Sequence, residues 1–132
     1  MPTDSTQTIS KLALTLGAIY GATGVALGAL GAHALRGQLS DDQLSVFQTG
    51  VQYQLLHAIL LVAVAAYARQ QASATLKWAI ICIGMGVLCF SGSLYGLVLL
   101  GWRWLGPVTP IGGVLMISGW ALLGIHALRN NT

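Results

Sequence analysis

Hydrophobic residues run along this chain in four long segments separated by short polar stretches. The apolar segments cover about residues 12–35, 51–68, 78–100 and 108–128. Each is close to the roughly 20 residues that an α-helix needs to cross a hydrocarbon core of about 30 Å. The pattern therefore predicts an all-α polytopic membrane protein built as a four-transmembrane-helix bundle.

The polar stretches give the predicted boundaries of this bundle. Residues 1–11 form a polar N-terminal arm, residues 12–129 the transmembrane domain and residues 130–132 a short tail. Ser40, followed by Asp41 and Asp42, has the pattern of a helix N-cap with acids in the first turn. A helix is therefore expected to begin there and to run on into the second apolar segment.

Composition agrees with a membrane protein. Only 7% of the residues are charged and 55% are hydrophobic, whereas an ordinary soluble domain has about one-quarter charged residues. The net charge of +3 includes no cluster of Lys and Arg, so the sequence does not indicate nucleic-acid binding. The lipid bilayer is the partner that this composition predicts.

The basic residues are divided unequally between the two sides of the predicted bundle. The side of both termini carries Lys11, Arg69, Lys77 and Arg129, and the other side carries Arg36 and Arg103. Cytoplasmic loops of membrane proteins carry the excess of Lys and Arg. Four bases against two therefore predict that both termini are cytoplasmic.

The first segment ends in Ala-His-Ala, which has the small-x-small pattern of a signal-peptide cleavage site. A signal core has about 7–15 apolar residues behind a basic region, whereas the run from Leu12 to Leu35 has 24 residues behind one lysine. We therefore expect the first span to be retained.

Glycine recurs along the first span with steps of four and three residues. The positions are Gly17, Gly21, Gly24, Gly28 and Gly31. This spacing places all five on one helix face, where small residues allow close helix approach in lipid. The stripe is expected to pack inside the bundle, or in part against another chain.

Polar residues inside the second and third spans form the candidate functional site, because polar groups at such depth usually face the bundle interior or a cavity. The candidates are Gln48, Tyr53, Gln54, His57, Ser91, Ser93 and Tyr95. They are expected to form a hydrogen-bond network between helices, or alternatively a ligand, proton or ion site. His57 has no second metal ligand at its depth, so neither metal nor haem is predicted.

The motif HALR occurs twice, at residues 33–36 and 126–129. His33, a further candidate polar residue, and His126 would lie at opposite membrane faces and cannot share a metal. Gly37 and Asn130 follow the two copies and suit the left-handed conformation after a helix, so HALR is expected to end each helix. No catalytic constellation, metal-ligand spacing or cofactor motif is present, and the prediction is that the protein is not an enzyme and has no cofactor.

Four motifs in order, GALGAHAL, FQTGVQYQLLHA, FSGSLYGLVL and GPVTPIGGVLMISGW, resemble the YgdD/YwdK-like family of small four-helix bacterial membrane proteins, which is related to small animal transmembrane proteins. The resemblance implies a multi-pass protein of the bacterial inner (plasma) membrane with its first span retained, and it implies no chemistry. It maps recurrent positions onto His33, Phe47, Gln48, Tyr53, Gln54, His57, Ser91, Gly92, Ser93, Tyr95, Thr109, Pro110, Gly112 and Gly113.

Two functions follow as hypotheses. The first is a non-enzymatic accessory or scaffold subunit that associates with another membrane protein, or with itself, through glycine-rich helix faces. The alternative is a small transporter, channel subunit or ligand-binding protein with a polar site around His57. An enzyme acting on lipid or quinone is a third and weaker hypothesis.

Overall fold

The computed structural model describes residues 4–129, and the regular elements within this range are all helical. Helix α1 covers Asp4–Ala32, α2 Asp41–Ala68, α3 Ala74–Tyr95 and α4 Val108–Arg129. A π turn, Gly96–Leu100, continues α3, and a 3₁₀ turn, Arg103–Leu105, precedes α4. All four helical segments are long and apolar enough to cross a membrane. The predicted all-α fold with four spans is confirmed.

Helix α1 begins eight residues before the first predicted span, inside the segment assigned to the polar arm. Asp4 lies in its first turn, where a negative charge complements the helix dipole. Ile9 and Ser10 are buried, and the Ser10 hydroxyl donates a 2.8 Å hydrogen bond to the carbonyl oxygen of Ala65 in α2. Residues 4–11 are thus part of α1, and the Ser10 bond ties them to α2. Residues 1–3 and the predicted tail, 130–132, lie outside the described residues.

The first HALR motif is not a helix end, in contrast to the sequence prediction. Helix α1 stops at Ala32, and His33 lies exposed in the turn that follows. Gly37 has φ +90°, so it takes the left-handed conformation favoured by glycine, but in the connection and not directly after the helix. The second copy does form the last turn of α4, and its predicted stop residue, Asn130, lies outside the described residues.

Helix α2 begins as the sequence predicts. Ser40 is the N-cap, its side chain accepts from the backbone N–H of Gln43, and the Gln43 side chain accepts from the backbone N–H of Ser40. This reciprocal pair is a capping box. Asp41 and Asp42 occupy the first turn.

The helices pack mainly in chain order, α1 on α2, α2 on α3 and α3 on α4. Apolar side chains fill the end of the bundle where α1 begins, and Ile9, Leu61 and Ile80 belong to this core. The opposite half buries Phe47 together with polar side chains, including Gln54 and Ser91. The polar candidates are therefore concentrated in one half of the bundle.

Candidate functional site

The glycine stripe of α1 lies against α2 along its whole length. A Cβ added at Gly17 would lie 2.9 Å from Val62 Cγ2, and one added at Gly31 would lie 2.9 Å from Phe47 Cε1. At Gly24 the added Cβ would be 2.7 Å from Leu55 Cδ2. At Gly17 the added Cβ would also lie 3.0 Å from the backbone oxygen of Ala58, so this glycine sets the distance between α1 and α2. At Gly24 and Gly31 the neighbours are side chains, which would have to shift.

One edge of the stripe opens outward as an apolar groove. A Cβ added at Gly21 would meet only the Cβ of Ala58, at 3.9 Å. The groove has a volume of about 340 Å³, and its lining consists of Gly17, Gly21, Ala58, Ile59, Val62 and Ala63. Ile59 is 68% exposed at its rim. We call this surface the Gly21 groove.

Glycines also set the contact between α3 and α4. A Cβ added at Gly112 would lie 2.8 Å from both Gly86 O and Phe90 Cα, and one added at Gly119 would lie 3.1 Å from Ala79 O. By contrast, Gly92 and Gly113 have no heavy atom of a neighbouring element within 4 Å of an added Cβ. Glycines of one helix thus differ in whether a neighbouring helix leaves room for a side chain.

Gln54 is the centre of the polar network. Its Nε2 donates to Tyr20 O at 3.0 Å and to Thr23 Oγ1 at 2.7 Å, and its Oε1 accepts from the Tyr95 hydroxyl at 2.7 Å. Gln54 is only 4% exposed. One α2 side chain therefore joins α1 and α3, with both N–H groups of its amide and its oxygen in hydrogen bonds.

His57 lies one turn further along α2 and faces a different helix. Its Nδ1 lies 2.8 Å from Tyr53 O, and its Nε2 accepts from Trp120 Nε1 of α4 at 3.1 Å. A carbonyl oxygen only accepts, so Nδ1 carries the proton and the imidazole is neutral. Both ring nitrogens are engaged, and neither is available to a metal or ligand in this arrangement.

The serines of α3 bond in two directions. Ser91 donates to Gly50 O of α2 at 2.7 Å. Ser93 contacts Phe90 O at 2.8 Å and shares a 2.5 Å hydrogen bond with Thr109 of α4. The structure therefore joins Gln54 and Tyr95 by a hydrogen bond. His57 and Ser93 instead bond to residues of α4.

The remaining candidates lie at the margin of this network or outside it. Tyr53 is 40% exposed and its ring stacks on His57 with centroids 6.1 Å apart. Gln48 is exposed on α2, and His33 is exposed beyond the end of α1. His126, the second HALR histidine, is buried at the other end of the bundle, where its Nδ1 lies 2.7 Å from the hydroxyl of Ser73, the N-cap of α3.

A shallow cavity of about 200 Å³ lies beside the Gln54 cluster, between α1 and α3. Tyr20, Thr23, Gln54, Ser91 and Tyr95 contribute to its lining, whereas His57 does not. Within residues 4–129, every buried side-chain nitrogen and oxygen has a hydrogen-bond partner. The same range contains no group of three or more His, Cys, Asp or Glu residues placed to hold a metal. Chemically, the network can fix helix register and orientation.

Sequence reasoning did not identify Tyr20, Thr23 and Trp120 as members of the network. Tyr20 and Thr23 are polar residues next to the glycine stripe, three residues apart, and this proximity was a usable signal. Trp120 is half-exposed in the middle of α4, away from the membrane boundaries where tryptophan is enriched, and that unusual depth indicates a specific partner.

Comparison with known proteins gives consistent matches. The family described as "Protein of unknown function (DUF423)" matches residues 27–113. A UPF0382 membrane protein of Staphylococcus haemolyticus is 42% identical over 119 residues, which is 90% of this chain and 97% of the relative. The UPF0382 inner membrane protein YgdD of Escherichia coli K12 is 38% identical over 120 residues, 91% of this chain and 92% of the relative. No solved structure matches the chain.

Proposed function

The chain belongs to the UPF0382 (DUF423) family of membrane proteins, and within it we propose that this protein is a non-enzymatic accessory subunit that binds a transmembrane helix of another membrane protein. The family resemblance drawn from four sequence motifs is confirmed by these matches, as is the assignment to the membrane. The activity is the part that we propose.

The Gly21 groove is the observation that carries this proposal. Helices in lipid gain little from the hydrophobic effect, so their association depends on close packing at small residues. Gly21 and Ala63 provide such a surface on the outside of the bundle, above the buried Ala58. The other glycines of the stripe pack closely against α2, and the edge at Gly21 is left open to a partner.

A different protein is favoured over a second copy because of the shape of the surface. A two-fold symmetric dimer would place the same patch against itself, and two concave grooves would leave space between them. A single convex helix from another protein fills one groove. The occupant we assign is therefore a foreign transmembrane helix.

The alternative of a ligand or ion site around His57 receives less support from the geometry. His57 is 6% exposed, and both of its ring nitrogens are bonded within the chain. The cavity beside Gln54 does not reach it. We therefore interpret the polar network as an element of bundle packing.

We also propose that both termini lie in the cytoplasm. Arg69 follows the last residue of α2, Lys77 lies near the start of α3 and Arg129 ends α4. These residues share one end of the bundle with Lys11, whereas Arg36 and Arg103 lie in the connections at the other end. The positive-inside rule favours the first end as cytoplasmic.

Site-specific photocrosslinking in the native membrane tests the association. A photoreactive residue at position 59 is expected to give a discrete adduct with a membrane-spanning peptide of another protein. Gly21→Leu would place a branched side chain in the groove, and its Cβ would have no contact closer than 3.9 Å. This substitution should reduce the adduct at least about tenfold, a loss of roughly 1.4 kcal/mol of association energy.

Gly124→Leu is the matched control. Gly124 is exposed on α4, with no neighbouring heavy atom within 4 Å of an added Cβ, so the same change there should leave the adduct intact. An adduct that survives Gly21→Leu would contradict the proposal. An adduct with a second copy of this chain would overturn the assignment to a foreign helix.

A further inference from the structure

We propose that a recess between α1 and α2, at the end of the bundle where α1 begins and α4 ends, binds a phosphate group. Gln7, Ser10, Lys11, Leu14 and Arg69 line this recess, which has a volume of about 400 Å³. We call it the anion recess. It is separate from the Gly21 groove and from the Gln54 cluster.

Helix periodicity places the two cations at one site. Gln7, Lys11 and Leu14 are spaced by four and three residues, so they share a face of α1. Arg69 is four residues beyond Ala65, whose carbonyl oxygen accepts the 2.8 Å bond from Ser10. This bond holds α1 against the end of α2 and brings the Lys11 and Arg69 side chains to the same recess.

The local charge is positive. The protein has three acidic residues. Asp41 and Asp42 start α2 at the opposite end of the bundle. Asp4 lies one turn before Gln7 and about 10 Å along the helix axis from Lys11, and it does not line the recess. An ammonium, a guanidinium and the Gln7 amide are donors that suit phosphate oxygens.

The position of the recess favours a phospholipid as the source of the phosphate. Lys11 directly precedes the first apolar segment, and Arg69 directly follows α2, so both lie at the boundary of the hydrocarbon core. Leu14 lies one turn deeper and is 51% exposed, which places an apolar surface next to the donors. A lipid whose phosphate meets Lys11 and Arg69 can lay an acyl chain along Leu14. Basic pockets between membrane helices bind anionic head groups in this way.

Native mass spectrometry of the full-length protein, released from nanodiscs of mixed phosphatidylglycerol and phosphatidylcholine, tests the proposal. The wild type is expected to retain phosphatidylglycerol in preference to phosphatidylcholine. The Lys11→Gln/Arg69→Gln double variant should lose roughly 10- to 30-fold of this retention, given about 1 kcal/mol for each basic residue near an anionic surface.

Two further variants distinguish binding at the recess from a general effect of the protein's positive charge. Lys77→Gln/Arg103→Gln removes the same charge elsewhere and should retain the lipid, whereas Lys11→Arg/Arg69→Lys keeps both charges in the recess and should retain most of it. The phosphate of phosphatidylcholine is neutralised by its own choline ammonium, so a site made by Lys11 and Arg69 should prefer phosphatidylglycerol. Equal retention of the two lipids by the wild type, or full retention of phosphatidylglycerol by Lys11→Gln/Arg69→Gln, would overturn the proposal.

Inorganic phosphate distinguishes the two sources of the ligand. One result is that millimolar phosphate displaces phosphatidylglycerol from the wild type while leaving in place the little lipid that Lys11→Gln/Arg69→Gln still retains. In that case the recess accepts free phosphate as well as lipid. If phosphate does not compete while retention still depends on Lys11 and Arg69, the lipid head group is the ligand. Both results support a phosphate site, and they differ only in its source.

Discussion

At the scale of single residues, the buried polar side chains of the described range specify how the helices are arranged, because each has a hydrogen-bond partner on another helix or in its own helix. Gln54 uses its amide nitrogen and oxygen toward Thr23 of α1 and Tyr95 of α3. A group that loses its partner in the bilayer core finds no water to replace it. Measured side-chain hydrogen bonds in membrane proteins nevertheless average only about 0.6 kcal/mol. The network therefore selects one arrangement of the helices more than it adds stability.

The hydrogen bond between Trp120 and His57 allows the small stabilising contribution of the network to be measured. Trp120→Phe removes the indole N–H and leaves Nε2 of the buried imidazole without its donor. We expect a double-mutant cycle of Trp120→Phe and His57→Phe, measured by unfolding in mixed micelles, to give a coupling energy of about 0.6 kcal/mol, and below about 1.7 kcal/mol.

Trp104→Phe is the control for this cycle, because Trp104 lies in the connection before α4 and is 67% exposed. It should show no coupling to His57. Nitrogen NMR should find the proton of His57 on Nδ1. A proton on Nε2, or a coupling energy of zero, would contradict the bond.

At the scale of helices, close approach depends on a subset of the glycines. The α3–α4 contact brings Gly112 against backbone atoms of Gly86 and Phe90, so an added methyl group cannot be accommodated by a side-chain rotation. The next residue, Gly113, points to open space. Adjacent positions on one helix thus carry opposite consequences for the same substitution.

We expect Gly112→Ala to destabilise the protein by about 1–3 kcal/mol, because overpacking of a tight contact costs this amount. Gly113→Ala should be neutral, or stabilising by up to about 1 kcal/mol, since alanine has the higher helix propensity. Unfolding of the two variants in the same detergent mixture gives the comparison. Similar stability of both variants would show that α3 and α4 are not held at the distance described.

Periodicity predicted the helices and the shared face of the α1 glycines, but it could not identify their neighbours. The steps of four and three residues define one face, whereas the choice of α2 for that face depends on how the chain folds back. Likewise, the spacing of three residues between Gln54 and His57 does not show which helix each side chain meets. The angle of about 100° per residue leaves them about 60° apart, enough for one to meet α1 and the other α4.

At the scale of the whole molecule, the exposed apolar surface is the lipid-facing surface. Ile59, Ile117 and Leu128 are each more than two-thirds exposed, an arrangement that a bilayer accommodates. Charged residues are confined to helix ends and connections, so they mark the two membrane boundaries. The unequal number of basic residues at the two boundaries is the basis of the proposed orientation in the membrane.

That orientation predicts which connections are accessible from outside. In a background with Cys82→Ala and Cys89→Ala, a cysteine at Gln38, between α1 and α2, should react with a membrane-impermeant maleimide in intact spheroplasts. A cysteine at Gln71, between α2 and α3, should react only after the membrane is opened. Both glutamines are exposed in their connections, so labelling of the permeabilised membrane provides the control for each site. The reverse pattern would place both termini outside, and the anion recess would then face the outer leaflet.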